Sequence, residues 1–206
     1  MRTLVIESAS EACSVALFDD SELVAGTWEH LGRGHAERLV PMISELPGRG
    51  RAERIVVSLG PGSFTGVRVG LAAARGLALA WRTELAGFAT LSLIAAMARA
   101  DCGNQPVAVV TTGGHGEWFT AGFGSAGEVT RELASLPPAT AVAQIDEDLV
   151  AGSQADALVA ARGSGRALSI LPDARRFAEL REFELTASLV PLYGRGPDAR
   201  PSVSRA

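Results

Sequence analysis

A glycine-rich turn leads into a run of small residues at GPGSFTGVRVGLAAARGLALA, Gly60 to Ala80, directly after the apolar run RIVVSLG. Strand, glycine loop and helix is the setting in which phosphate-binding loops occur. A Walker A loop needs G-x-x-x-x-G-K-[ST], and Gly62 to Val67 supplies neither the spacing nor the lysine. The dinucleotide fingerprint G-x-G-x-x-G misses by one position, because Gly60 and Gly62 are followed by Thr65, with glycine at 66. An anion could sit on the N–H groups that open the helix. Ser63 and Thr65 are equally explained as caps for those same donors, and with no lysine present the capping reading is the stronger.

Other residues that could carry chemistry do not assemble into a set. His30 and His35 are five apart and so off a shared helix face, while His115 is remote, and neither H-E-x-x-H nor H-x-x-x-H occurs. Ser63 lacks the nucleophile-elbow pattern, since Gly62 directly precedes it. Cys13 reads as a packed thiol on a strand, and Cys13 with Cys102 forms no metal or redox spacing. Glu7, at the end of the first strand, is a lone carboxylate. All 19 basic residues are arginine, which excludes a P-loop lysine, a Schiff base and an amine base. The net charge of −4, with 5% aromatics, argues against nucleic-acid binding by this chain alone.

These residues must be positioned by alternating strands and helices. Leu4 to Ile6 forms a first strand, and ACSVALFDD and ELVAGTWEH form a hairpin turning at Asp19-Asp20-Ser21. HAERLVPMISEL takes helical period, with Leu39, Met42, Ile43 and Leu46 on one stripe and Pro41 expected to kink it. RIVVSLG is a buried strand, and GFATLSLIAAMARA reads as a helix ended by DCGN. Within the stretch from Gly60 to Ala80, Gly66, Gly70, Ala74 and Ala78 recur every four residues, and Ala72, Gly76 and Ala80 make a second small stripe. An interior helix glycine costs roughly 1 kcal/mol relative to alanine, so close approach of another element must compensate. One stripe suits the protein's own sheet; two suggest a helix used both inside and at a subunit interface.

A boundary falls near Gly103 to Pro106, giving lobes 1–104 and 105–206. The second, smaller lobe opens on a hairpin, PVAVVTT and GEWFTAGF around GGHG, and carries a short charged helix DARRFAELRE and a tail returning to the first lobe. The order of elements predicts an α/β protein of two lobes with mixed sheets flanked by helices. The opening MRTLVIESAS reads as a strand rather than a secretory leader. LAGFATLSLIAAMA is too short to cross a bilayer, Arg68 and Arg75 break any membrane reading of the small-residue helix, and cysteine usage points to the cytoplasm.

The motif Gly60-Pro61-Gly62-Ser63-Phe64-Thr65-Gly66, with its small-residue helix, resembles that of the bacterial tRNA threonylcarbamoyladenosine biosynthesis family TsaB (YeaZ-like), whose signature is G-x-G-P-G-S-F-T-G-x-R-x-G. Ser58 stands at the first of those glycines. EACSVALFDD, HAERLVPMISEL and the ending PLYGRGPDA extend the resemblance. It implies the actin/sugar-kinase (ASKHA) fold in two lobes. It also implies a non-catalytic subunit that binds and activates TsaD, with nucleotide and metal on TsaD and the ATPase TsaE rather than on this chain. The complex adds threonylcarbamoyl to the adenosine next to the tRNA anticodon; tRNA would be met only indirectly, TsaE through TsaD, and the chain alone could self-pair. Mapped by the resemblance, the partner interface comprises His35, Leu39, Met42, Ile43 and Leu46, and Thr65, Val67, Arg68, Gly70, Leu71 and Ala74. The alternative is a stand-alone nucleotide-binding kinase or ATPase of the same fold, and a peptidase finds no support. Two departures stand out. Glu7-Ser8 replaces the family's Asp-Thr, and Thr112-Gly113-Gly114-His115 replaces Asp-Ala-Arg before Gly116-Glu117. Both face the interlobe cleft in that fold, which puts nucleotide binding by this chain in doubt.

Overall fold

The computed structural model describes residues 1–194. Three antiparallel strands open the chain: β1 (Arg2–Glu7), β2 (Ala12–Asp19) and β3 (Glu22–His30). Helix α1 (His35–Glu45) then leads to β4 (Arg54–Ser58), which lies parallel to β1. Helix α2 (Phe64–Trp81) leads in turn to β5 (Glu84–Phe88), parallel to β4. Helix α3 (Thr90–Cys102) carries the chain to a second sheet, of β6 (Val107–Thr112), β7 (Trp118–Phe123), β8 (Val129–Leu136), β9 (Leu149–Ala151) and β10 (Arg166–Leu168). In that sheet the order is β10-β9-β6-β7-β8, with α4 (Pro138–Gln144) and α5 (Ala155–Arg162) against it. The chain then returns to the first sheet, where Leu185–Thr186 (β11) completes the order β11-β5-β4-β1-β2-β3.

The period-2 alternation of β1 sends its side chains into two cores. Leu4 and Ile6 pack with Leu39, Met42, Val67 and Leu71 under α1 and α2, and Val5 packs with Phe18, Val56, Phe88, Leu93 and Met97 on the opposite face. Helix α3 serves both sheets: Leu93 and Met97 face the first, while Leu91, Ile94, Ala95 and Ala98 face Val107, Val109 and Phe123 of the second.

Two sequence expectations change here. Glu84–Phe88, partly read with the following helix, is a strand, because its parallel pairing with β4 completes the β4–α2–β5 crossover. DARRFAELRE forms a 3₁₀ segment, Ala174–Glu179, rather than an α-helix; it is held by Phe177, which packs against Phe18 at 5.8 Å and Phe88 at 6.2 Å between ring centres. Helix α1 runs through Pro41, which lies exposed near its middle. The tail residues Arg195 to Ala206, including most of GRGPDA, lie outside the described residues.

Candidate functional site

The turn after β4 is built around close contacts with the loop after β1. Gly62 lies so near the Ala9 carbonyl, and Gly66 so near that of Ser8, that a Cβ at either position would overlap backbone. Three of the loop's donors are taken up inside the protein. Gly60 N–H donates to Ser58 Oγ at 3.2 Å, Ser63 N–H to the Ala9 carbonyl at 2.6 Å, and Gly66 N–H to Ser63 Oγ at 3.2 Å. Ser63 is the N-cap of α2. The turn therefore launches and caps a helix pressed onto the end of β1, with Ser8 Oγ donating to the Gly66 carbonyl at 3.0 Å.

Beside this turn Glu7 is fully buried. Its carboxylate accepts from Ala9 N–H at 2.6 Å and lies 3.4 Å from Thr90 Oγ1, which in turn is 2.6 Å from Ser58 Oγ. Burial pushes the carboxyl up to about 7, against the opposing pull of these donors. Burial likewise pushes the Cys13 thiol up to about 12, as suits a packed residue without nucleophilic character.

Between the two sheets lies a cavity of about 690 Å³. The first lobe lines it with Ser10, Glu11, Pro61 to Phe64, Arg68, Thr90 and Ile94; Thr111 to His115, Phe119 and Ser153 face them, and Leu171, Pro172 and Tyr193 come from the returning chain. At its mouth the Arg68 guanidinium stacks 3.5 Å over the Phe64 ring and donates to Tyr193 Oη at 3.4 Å. Three features of this lining bear on anion binding. The chain has no lysine, the loop N–H groups at Gly60, Ser63 and Gly66 already have acceptors, and among the described residues no three His, Cys, Asp or Glu groups converge as ligands.

The residues mapped to a partner interface separate by burial. His35, Leu39, Met42, Ile43 and Leu46 on α1 point into the first core, with His35 Nε2 3.2 Å from the Ala12 carbonyl oxygen. Val67, Gly70, Leu71 and Ala74 on α2 are equally enclosed. These nine are enclosed within this chain, because the apolar stripe of an amphipathic helix faces its own sheet. Thr65 and Arg68 are exposed, and Arg68 lies at the cavity mouth. The outward face of the two helices carries different residues: Ala36, Val40 and Pro41 on α1, and Ala72, Gly76, Leu79 and Ala80 on α2. The second small stripe was the sequence signal for this face; Leu79, 83% exposed, and Val40, 58% exposed, carried none.

Two lobes, each a mixed sheet flanked by helices, enclosing a cleft, define the actin/sugar-kinase class of α/β fold. The chain belongs to the family whose model is described as "TsaD: tRNA N6-adenosine threonylcarbamoyltransferase", which matches residues 29–170. Within reach of it the curated relatives are TsaB proteins. The Escherichia coli protein named "tRNA threonylcarbamoyladenosine biosynthesis protein TsaB" is 39% identical over 100 residues, covering 46% of this chain and 43% of that protein. Its Bacillus subtilis namesake is 29% identical over 104 residues, covering 48% and 45%. The matches thus span less than half the length of these relatives. A solved structure of YeaZ from Pseudomonas aeruginosa is 28% identical, with a TM-score of 0.76 over 93% of this chain and 99% of that one.

Proposed function

We propose that this chain is a TsaB-type accessory subunit that binds and activates TsaD in tRNA threonylcarbamoyladenosine biosynthesis, docking through the outward face of α1 and α2. The observation that carries the reading is that face: Leu79 and Val40 stand open on it, and at Gly76 nothing lies within 4 Å of where a Cβ would be. An interior glycine with no close neighbour has no explanation in the monomer, while a second helix crossing there would supply one. The absence of lysine from the sequence is in keeping with an accessory role, and the TsaB names of the relatives supply the pathway.

Co-purification with TsaD tests the docking. Leu79→Glu and Gly76→Leu should each abolish the complex while the melting temperature of the free chain stays near that of the parent; an undiminished complex with both variants rejects this face. Gly70→Leu cannot serve, because a side chain there would collide with Ser8 Oγ beneath the helix and unfold the lobe. Reconstitution with TsaD, TsaE and threonylcarbamoyl-adenylate tests activation: full tRNA modification without this chain would end the proposal. Heat on titrating the isolated chain with ATP and magnesium would instead favour a stand-alone kinase or ATPase.

A further inference from the structure

We infer that the interlobe cavity is a binding site for a small zwitterion with an aromatic body, of the size of a free aromatic amino acid or a dipeptide. Four observations carry this. First, the space of about 690 Å³ is in the range of small-molecule sites and exposes mainly apolar surface, to which Ile94, Phe119 and Pro172 contribute. Second, two opposite charges line it. The Glu11 carboxylate accepts no hydrogen bond and joins no ion pair among the described residues, although its backbone is pinned through its carbonyl by Leu31 N–H at 3.0 Å and Gly32 N–H at 2.8 Å. Arg68 likewise joins no ion pair among the described residues; its one hydrogen bond is the long one to Tyr193 Oη. A ligand carrying both an ammonium and a carboxylate would satisfy both groups with charge-assisted hydrogen bonds.

Third, Phe64, 56% exposed, and Tyr193, 38% exposed, stand 5.8 Å apart at the mouth, and the Arg68 plane covers Phe64. Exposed rings held in place beside a guanidinium form a platform for a planar group. Fourth, His115 lines the opposite wall at φ +58°, a left-handed backbone that glycine adopts without strain, although Gly113, Gly114 and Gly116 surround it. His115 thus puts an imidazole into a lining where its neighbours Gly113 and Gly114 have no side chain. The same lining disfavours polyphosphates, since the Glu11 carboxylate would repel them and Arg68 would be their only cationic partner among the lining side chains that are always charged.

The experiment is isothermal titration of the full chain with L-tryptophan, L-tryptophanamide, N-acetyl-L-tryptophan and the dipeptide tryptophyl-tryptophan. Saturable binding of L-tryptophan or the dipeptide is expected, at least about tenfold tighter than either blocked form, which is the scale of one charge-assisted hydrogen bond. The tighter of the two identifies the size of the ligand. Arg68→Gln should erase the discrimination against the amide and keep that against the acetyl form; Glu11→Gln should do the reverse. No saturable binding, equal affinity for the blocked forms, or variants that leave both discriminations intact would overturn the inference. The ligand series on the unaltered protein decides the matter even where a variant folds poorly. None of these readouts involves TsaD, so the outcome is separate from that of the docking proposal.

Discussion

Glu7 sits where a charged carboxylate is disfavoured. Its carboxyl is fully enclosed at the end of β1, with Ala9 N–H and Thr90 Oγ1 beside it. Unfolded, it loses its proton near 4.5; folded, near 7. Between those values the native state holds more protons, so stability is greatest below about 4.5 and falls as pH rises, by roughly 3 kcal/mol in the limit. Urea unfolding at several pH values between about 5 and 8 should show this slope, and Glu7→Gln should flatten it and leave the variant more stable than the parent at the alkaline end. A slope unchanged in Glu7→Gln would place the titration elsewhere. From the sequence the position reads as a lone carboxylate at a strand end. Its burial was not legible there, because the donors that hold it come from residues as far away as Thr90.

Among the elements, α2 shows how far spacing can be read. The four-residue recurrence of small residues is visible in the sequence, and so is the existence of two stripes. Which stripe faces inward is decided by the crossover geometry that lays α2 on β1 and β4, and spacing does not record it. Gly70 and Ala74, which the resemblance assigns to a partner interface, lie inward, while Gly76 lies outward. The two kinds of glycine predict opposite effects. Gly66→Ala sets a Cβ against the Ser8 carbonyl oxygen, where backbone must give, and should destabilise by about 3 kcal/mol. Gly76→Ala meets nothing and should stabilise by about 1 kcal/mol through helix propensity alone. Thermal melts of the pair check both signs; a destabilised Gly76→Ala would mean that the helix is not free on that side. The boundary between β5 and α3 is hidden from the sequence for a related reason, since ELAGF has no strand alternation of its own and is a strand through pairing with β4.

Across the whole molecule, the two sheets share material. Helix α3 gives side chains to both cores, and the returning chain sets Phe177 against Phe18 and Phe88. Arg99 of α3 and Glu184 of that return face each other at 3.9 Å, each with 4% of its side chain exposed. Burial holds the Arg99 guanidinium below its usual range and the Glu184 carboxyl above its own, as for a pair whose charges are incompletely compensated. Glu184→Ala should cost about 3 kcal/mol by leaving Arg99 buried and alone, and Arg99→Met in the same chain should recover much of it. Urea titration of Glu184→Ala, Arg99→Met and the double variant measures this, and additive losses would exclude the coupling. Both lobes should unfold in one transition by circular dichroism and by tryptophan fluorescence. The two-lobed plan was legible from the order of elements. The interior of the second lobe was not, because β9 and β10 have three residues each, too few for any period to register.

The late arrival of β11 and the segment before it bears on how the protein is made. The sheet begun at Arg2 receives its last strand at Leu185–Thr186, and the ring that covers Phe18 and Phe88 is Phe177. While the chain emerges from the ribosome, the first lobe therefore carries an uncovered aromatic face and an unpaired β5 edge until synthesis has passed Leu185–Thr186. Folding of the first lobe is completed only after the second has been made, and a chain cut short within the second lobe leaves a first lobe open to aggregation.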